Sequence, residues 1–409
     1  MPNLSKANSK RNSRIVISLV AVALLSAVIL TPLLPHSSVS AIDTLHPGQV
    51  SGLSNVTKIA AGHIHSLALK SDGTVWAWGN NGSGQLGNNS TTDSCSPVQV
   101  VVDTMGTPLT NVVEIAAGAA HSIARKSDGT VWAWGSNVFA QLGDTTTTDR
   151  HYAGQVSGVS SAVGIAAGSY HNLALISGGS VKSWGRNNFG QLGDNTTTNR
   201  TSGVSVMSLT DATQVGAGGF HSVALRANNS GKLKAWGQGG NGQLGTNSTS
   251  DALTPVDMKD TLGVVFTGAG FVAGGVNFTT VTTTGGKVWS TGQDGRGQQG
   301  TGCAGSTTGF VKIGSFSGVS KAFPGPTAEH VVSLQSDSSA KAWGRNEYGQ
   351  VGNGSTSDQC SPATVVDSMG SAVTGFTAIS GGGLHSLGLK SDGTVWSWGD
   401  NTFCQLGRT

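Results

Sequence analysis

Residues Lys70–Gly79 read KSDGTVWAWG, the same ten letters return at Lys126–Gly135, and KSDGTVWSWG stands at Lys390–Gly399. Asp-Gly is a two-residue hairpin signal, and TVWAWG has the β-branched and aromatic content of a returning strand. Weaker copies close at Trp184-Gly185, Trp236-Gly237, Thr291-Gly292 and Trp343-Gly344. The closing glycines stand at 79, 135, 185, 237, 292, 344 and 399, at intervals of 50 to 56 residues. Seven copies of nearly constant length define a repeat architecture.

Working outward from the hairpin, each unit has the same grammar. Val56–Gly62 (VTKIAAG) is a short β-rich run, and His65–Ser71 (HSLALKS) alternates apolar and polar residues. Thr74–Gly79 returns, a loop of about 16 residues carries GQLG at Gly84–Gly87, and a run from near Pro97 closes the unit. Four short antiparallel strands per unit predict an all-β fold, a seven-bladed β-propeller of four-stranded antiparallel blades. All ten tryptophans fall in third-strand segments. One indole register per blade is the pattern of a wedge between blades, with a sugar-binding stripe as the rival reading. Pro47–Gly52 (PGQVSG) resembles the fourth-strand segment Ala153–Gly158 (AGQVSG), and the last unit stops at Gly407 without a fourth strand. The amino-terminal strand is therefore expected to complete the last blade and close the ring.

Composition agrees. Of 409 residues 62 are Gly, and Glu occurs only at 114, 329 and 347. A coiled coil, a helical bundle and a charge-driven disordered chain need Glu, Lys and Leu or high net charge, and are excluded.

Lys6, Lys10, Arg11 and Arg14 precede an apolar run at 15–30, and Val39-Ser40-Ala41 supplies small residues. This is the layout of a signal peptide over residues 1–41, cleaved after Ala41, with a retained anchor as the alternative. A single propeller over 42–409, secreted or held at the cell surface, follows as the expectation. Beyond Ala41 the chain carries 20 basic and 21 acidic side chains. No Lys/Arg cluster marks a nucleic-acid footprint, no membrane partner is expected after cleavage, and a monomer is anticipated. Four cysteines in an oxidising compartment suggest two disulfides. Neighbouring loops in a closed ring pair Cys95 with Cys404 and Cys303 with Cys360. No C-x-x-C or finger spacing is present, so neither metal nor cofactor is expected.

The string AAGHIHSLALKSDGTVWAWGNNGSGQLG (Ala60–Gly87) resembles the repeat of the regulator of chromosome condensation family. The likeness covers almost all of residues 47–407; unit five (Thr291 for Trp) and unit six (PTAEH, Pro326–His330) are the degenerate copies. The resemblance implies a seven-bladed propeller with a ring-closing overlap. Some members activate a small GTPase and bind chromatin. Others are secreted bacterial propellers, among them an inhibitor that clamps a β-lactamase. Function is left open by the resemblance.

His65, His121, His171, His221, His330 and His385 recur at one register, and Ser66, Ser122, Ser222 and Ser386 follow four of them. Phe278 holds that register in unit five. A nucleophile–base pair is one asymmetric constellation, whereas a residue in six of seven units is a scaffold element bonding its neighbours near the axis. The GQLG loops join strands and open no helix, so a phosphate cradle fails. Single-copy charges are Arg150, His151, Asp294, Arg296, Glu329 and Glu347, and no catalytic set emerges from them.

The units disagree at two registers. Four residues past the closing glycine stand Ser83, Phe139, Phe189, Asn241, Arg296, Tyr348 and Phe403. Immediately before the His register stand Ile64, Ala120, Tyr170, Phe220, Asn277, Glu329 and Leu384. Connections between first and second strands, and between third and fourth, share one end of a propeller. Phe139, Tyr170, Phe189, Phe220, Arg296, Glu329, Tyr348 and Phe403 are therefore the candidate ligand-binding face, with loop packing as the alternative. The expected function is a non-catalytic binding propeller recognising a protein or cell-envelope ligand. A nucleotide-exchange factor, by resemblance, and an enzyme inhibitor are the alternatives; a secreted hydrolase would need a titratable cluster the sequence does not display.

Overall fold

In the KSDGTVW hairpin the side chains bond one another. Asp72 Oδ1 accepts from the Thr74 backbone N–H at 2.9 Å and from the Thr74 hydroxyl at 2.6 Å. The Thr74 oxygen in turn accepts from Trp76 Nε1 at 3.2 Å, and Lys70 Nζ lies 5.6 Å from the Trp76 ring centroid. The same chain of contacts holds at Asp128, Thr130 and Trp132, and at Asp392, Thr394 and Trp396. Gly73 adopts φ +79°, the conformation this turn demands. The repeated letters thus encode a self-supporting turn.

The computed structural model describes residues 44–227, 230–314 and 316–408. The expected leader and its cleavage point after Ala41 lie outside the described residues. Blade one consists of Val56–Ala61, His65–Lys70, Val75–Gly79 and Ser94–Gln99, hydrogen-bonded in that order. Blades two to six repeat the plan, beginning at Val112, Ala162, Ala212, Ala269 and Val319. Blade seven takes three strands from Phe376–Gly399 and its fourth from Gly48–Gln49. Gly48 pairs with Ser397 and Gln49 with Trp396, so the ring is closed across its ends as expected.

One boundary differs from the sequence reading. The fourth strand of blade one starts at Ser94, ahead of Pro97, because Ser94 pairs with Gly79 across a bulge before Val98 reaches Ala77. Proline is tolerated in this outermost strand, whose free edge needs no donor. Cys95 and Cys360 accordingly sit in outer strands, not in loops. Cys95 is bonded to Cys404 and Cys303 to Cys360.

The tryptophan before each closing glycine is the wedge between blades. Trp78, Trp134, Trp184, Trp236, Trp343 and Trp398 are wholly buried. Each indole N–H donates to the backbone carbonyl of a loop glutamine in the preceding blade, as Trp134 does to Gln85 and Trp78 to Gln405, both at 2.9 Å. The glycine after GQL lies flat on the indole: a Cβ on Gly87 would stand 2.7 Å from Trp134. Blade five lacks this tryptophan. There the Thr291 hydroxyl donates to Gly242 O at 3.0 Å, and buried Phe266 and Phe310, 4.7 Å apart, fill the volume.

Candidate functional site: the loop end of the ring

The histidines come first, because they are the most chemical residues in the repeat. All six are fully buried. Each reaches the residue after the histidine register in the next blade: His65 to Ser122 at 3.0 Å, His121 to Asn172 at 2.9 Å, His171 to Ser222 at 2.9 Å. His221 meets Thr279 at 2.8 Å, His330 meets Ser386 at 2.7 Å, and His385 closes the circle on Ser66 at 2.8 Å. The serine hydroxyls donate onward to loop glutamine carbonyls, as Ser122 does to Gln85 O at 2.9 Å. With that proton committed, serine accepts from imidazole Nε2–H. This fixes the tautomer and leaves no base facing a hydroxyl. Burial pushes the imidazoles down, to about 4 for His121 and about 3 for the other five. A neutral, donating, buried imidazole holds blades together and activates nothing.

The circle has one gap, and it is matched. Phe278 replaces the histidine of blade five, and Val331 replaces the serine it would have met in blade six. Both are fully buried in one apolar cluster.

The variable registers converge at the end carrying the loops. The backbone N–H after each closing glycine donates to the residue before the histidine register, as Arg186 does to Tyr170 O at 2.9 Å. Phe139 meets Tyr170 edge-on with centroids 5.1 Å apart, and Phe189 meets Phe220 at 5.7 Å. Tyr170 and Phe220 stack at 6.2 Å, joining the pairs into one patch across blades two, three and four. Its centre is Arg186, which the sequence reading passed over. The guanidinium carbon lies 4.7 Å from the Phe139 centroid, 4.9 Å from Phe220 and 5.8 Å from Tyr170. Its Nε is buried without a hydrogen-bond partner, and no acidic side chain pairs with it among the described residues. Burial pulls this guanidinium below its usual range, with Tyr170 opposing.

The remaining candidates form a second, ionic group. Arg296 pairs with Asp358 at 3.2 Å. Glu329 receives Arg345 at 3.0 Å, Arg345 also contacts Glu347, and its guanidinium carbon lies 5.8 Å from the Tyr348 ring. Phe403, half-buried, makes no ring contact with either group among the described residues. The expected face is therefore two sites, and Arg186 and Arg345 were missed because they occupy a register not compared across units, the residue just after the closing glycine.

A central channel of about 680 Å³ runs along the axis, lined by the first strands of all seven blades. At the loop end it is capped from blade six. Between Phe323 and His330 this blade carries PGPTAE, and Pro324–Ala328 are buried. Ser169 of blade three donates across the axis to Pro326 O at 3.5 Å. The degenerate PTAEH string is thus a plug. No group of three or more His, Cys, Asp or Glu among the described residues is placed to hold a metal ion.

The model of the RCC1-like domain matches residues 35–272, and the regulator of chromosome condensation (RCC1) repeat matches 342–389 and 376–405. The chain belongs to the RCC1-like domain family. This RCC1-like propeller is 31% identical over 351 residues to the Arabidopsis thaliana ultraviolet-B receptor UVR8, covering 85% of the chain and 66% of that receptor. It is 35% identical over 107 residues to the human probable E3 ubiquitin-protein ligase HERC4, covering 26% of the chain and 10% of the ligase. The chain thus spans just under two thirds of the first of these relatives and a small part of the second. Among solved structures, human WBSCR16 superposes with a TM-score of 0.70 at 22% identity, covering 87% of this chain and 89% of that one. Yeast RCC1 (Prp20), solved bound to Kap60, superposes with a TM-score of 0.68 at 21% identity, covering 84% and 80%. At these identities the structures share the fold. RCC1-like propellers of this kind are binding and regulatory modules.

Proposed function

We propose that the protein is an exported, non-catalytic binding propeller whose loop end seats a protein partner, with an acidic side chain of that partner received by Arg186. The observation that carries this reading is a cation enclosed by Phe139, Tyr170 and Phe220 with a buried, unpartnered Nε. Elsewhere on the same end Arg345 and Arg296 are neutralised by acids of the chain itself. A guanidinium fork framed by aromatic rings is the composition of an interface hot spot. Two disulfides support an oxidising location outside the cell.

Capture from the producing cell's envelope and medium tests this. Arg186→Gln keeps a polar, hydrogen-bonding end on a shorter stem and removes the charge. This variant, and the triple variant Phe189→Ala, Phe220→Ala, Tyr348→Ala, are expected to lose the partner retained by the parent protein, by about tenfold or more, with unchanged melting. Undiminished capture by both removes this end of the ring from contention.

A further inference from the structure

The opposite end, where second and third strands turn and where each blade hands over to the next, carries three copies of a small device. The handover segments after blades one, four and six contain Asp103-Thr104-Met105-Gly106, Asp260-Thr261-Leu262-Gly263 and Asp367-Ser368-Met369-Gly370. In each, the aspartate Oδ1 accepts two backbone N–H groups. Asp103 takes those of Met105 and Thr107, both at 3.0 Å. Asp260 takes Leu262 at 3.0 Å and Val264 at 2.9 Å, and Asp367 takes Met369 and Ser371, both at 2.9 Å. The following glycine has φ between +81° and +88° in all three. These are held turns, and each lifts a large apolar side chain into solvent: Met105 is 87% exposed, Leu262 86% and Met369 85%. The other four handovers lack the motif.

The same end gathers the lysines. Every lysine among the described residues lies at this half of the ring, including Lys70, Lys126 and Lys390 beside the hairpin turns and Lys259 at the foot of a tip. The acids divide about evenly between the two ends, so this end is positive relative to the other.

From the tips and the charge we infer, against the sequence expectation of no membrane partner, that this end docks on an anionic lipid bilayer, with Met105, Leu262 and Met369 entering the interface and the lysines facing the headgroups. A protein hot spot is a contiguous cluster, whereas these tips stand on separate blades with others between them. A bilayer is laterally continuous and accepts separate tips at once, and its negative surface potential draws in basic side chains within a Debye length. This inference is independent of the Arg186 site.

Cosedimentation of the oxidised protein (residues 42–409) with vesicles of equal phosphatidylglycerol and phosphatidylcholine tests it, against vesicles of phosphatidylcholine alone. Binding to the anionic vesicles that weakens with salt is expected. The triple variant Met105→Asp, Leu262→Asp, Met369→Asp is expected to lose partitioning by about a hundredfold, and the triple serine variant by about tenfold or more. Arg186→Gln should bind vesicles as the parent does, which separates this result from the fate of the loop-end reading. Equal partitioning of parent and triple variants, indifference to lipid charge, or retention by an acidic protein without vesicle binding would each overturn the inference.

Discussion

At the scale of single residues the buried histidines show how a repeat can look catalytic and be structural. His65 and Ser66 are adjacent in sequence, yet His65 bonds Ser122 of the next blade while Ser66 bonds His385 of the blade before. The pair in sequence is not the pair in space. The matched replacements Phe278 and Val331 follow from that offset: an imidazole facing valine would be buried with its N–H unpaired, at a cost of about 1–3 kcal/mol, and a hydroxyl facing phenylalanine would lose the imidazole that meets it in the other blades. Phe278→His and Val331→Ser are each expected to destabilise the protein. Together they should recover about 1–2 kcal/mol relative to the sum of the single effects. Urea midpoints of the four proteins check this, and strict additivity would refute the pairing. The histidine register was legible in the sequence; its cross-blade partner was not, because periodicity gives the step between units but not the offset of contacts.

At the scale of elements the blade is a hairpin plus a wedge. The KSDGTVW turn was readable because all its bonds are local. The start of the fourth strand was misread because Ser94 has no strand signal of its own and is placed by Gly79 opposite. The wedge carries the larger energy. Trp184→Phe keeps an aromatic body but removes the indole donor, 3.1 Å from the Gln141 carbonyl, and leaves that oxygen only the Asn172 amide at 2.8 Å. A loss of about 0.5–1.5 kcal/mol is expected, and Trp184→Ala should lose about 3–5 kcal/mol because a cavity opens between blades two and three. Equal melting of the phenylalanine variant and the parent would remove the hydrogen bond from the account. On the candidate face, Phe139, Tyr170, Phe189 and Phe220 were legible as differences between units. Arg186 was not, because its role lies in three rings brought over it from neighbouring blades.

At the scale of the molecule the six imidazoles act in concert. Each has its folded-state value lowered from 6.5 to about 3 or 4. Their stabilisation is complete above the unfolded value and is lost as pH falls from about 6.5 toward 4, where the unfolded chain binds protons the folded one refuses. Each site contributes up to about 1.4 kcal/mol per pH unit in that window. The melting temperature is expected to hold steady from pH 8 to 7 and to drop steeply from pH 6 to 4. A flat profile down to pH 5 would contradict burial of the ring. Ring closure was readable from PGQVSG, whereas the cap on the axis was hidden in what read as a decayed repeat.

That cap makes the two mouths of the axis unequal. With Pro326 reaching Ser169 across one mouth, a solute on the axis meets the buried Pro324–Ala328 segment of blade six at the loop end. Traffic along the axis between the two ends has to displace this segment, and communication that leaves it in place has to travel through the blades themselves.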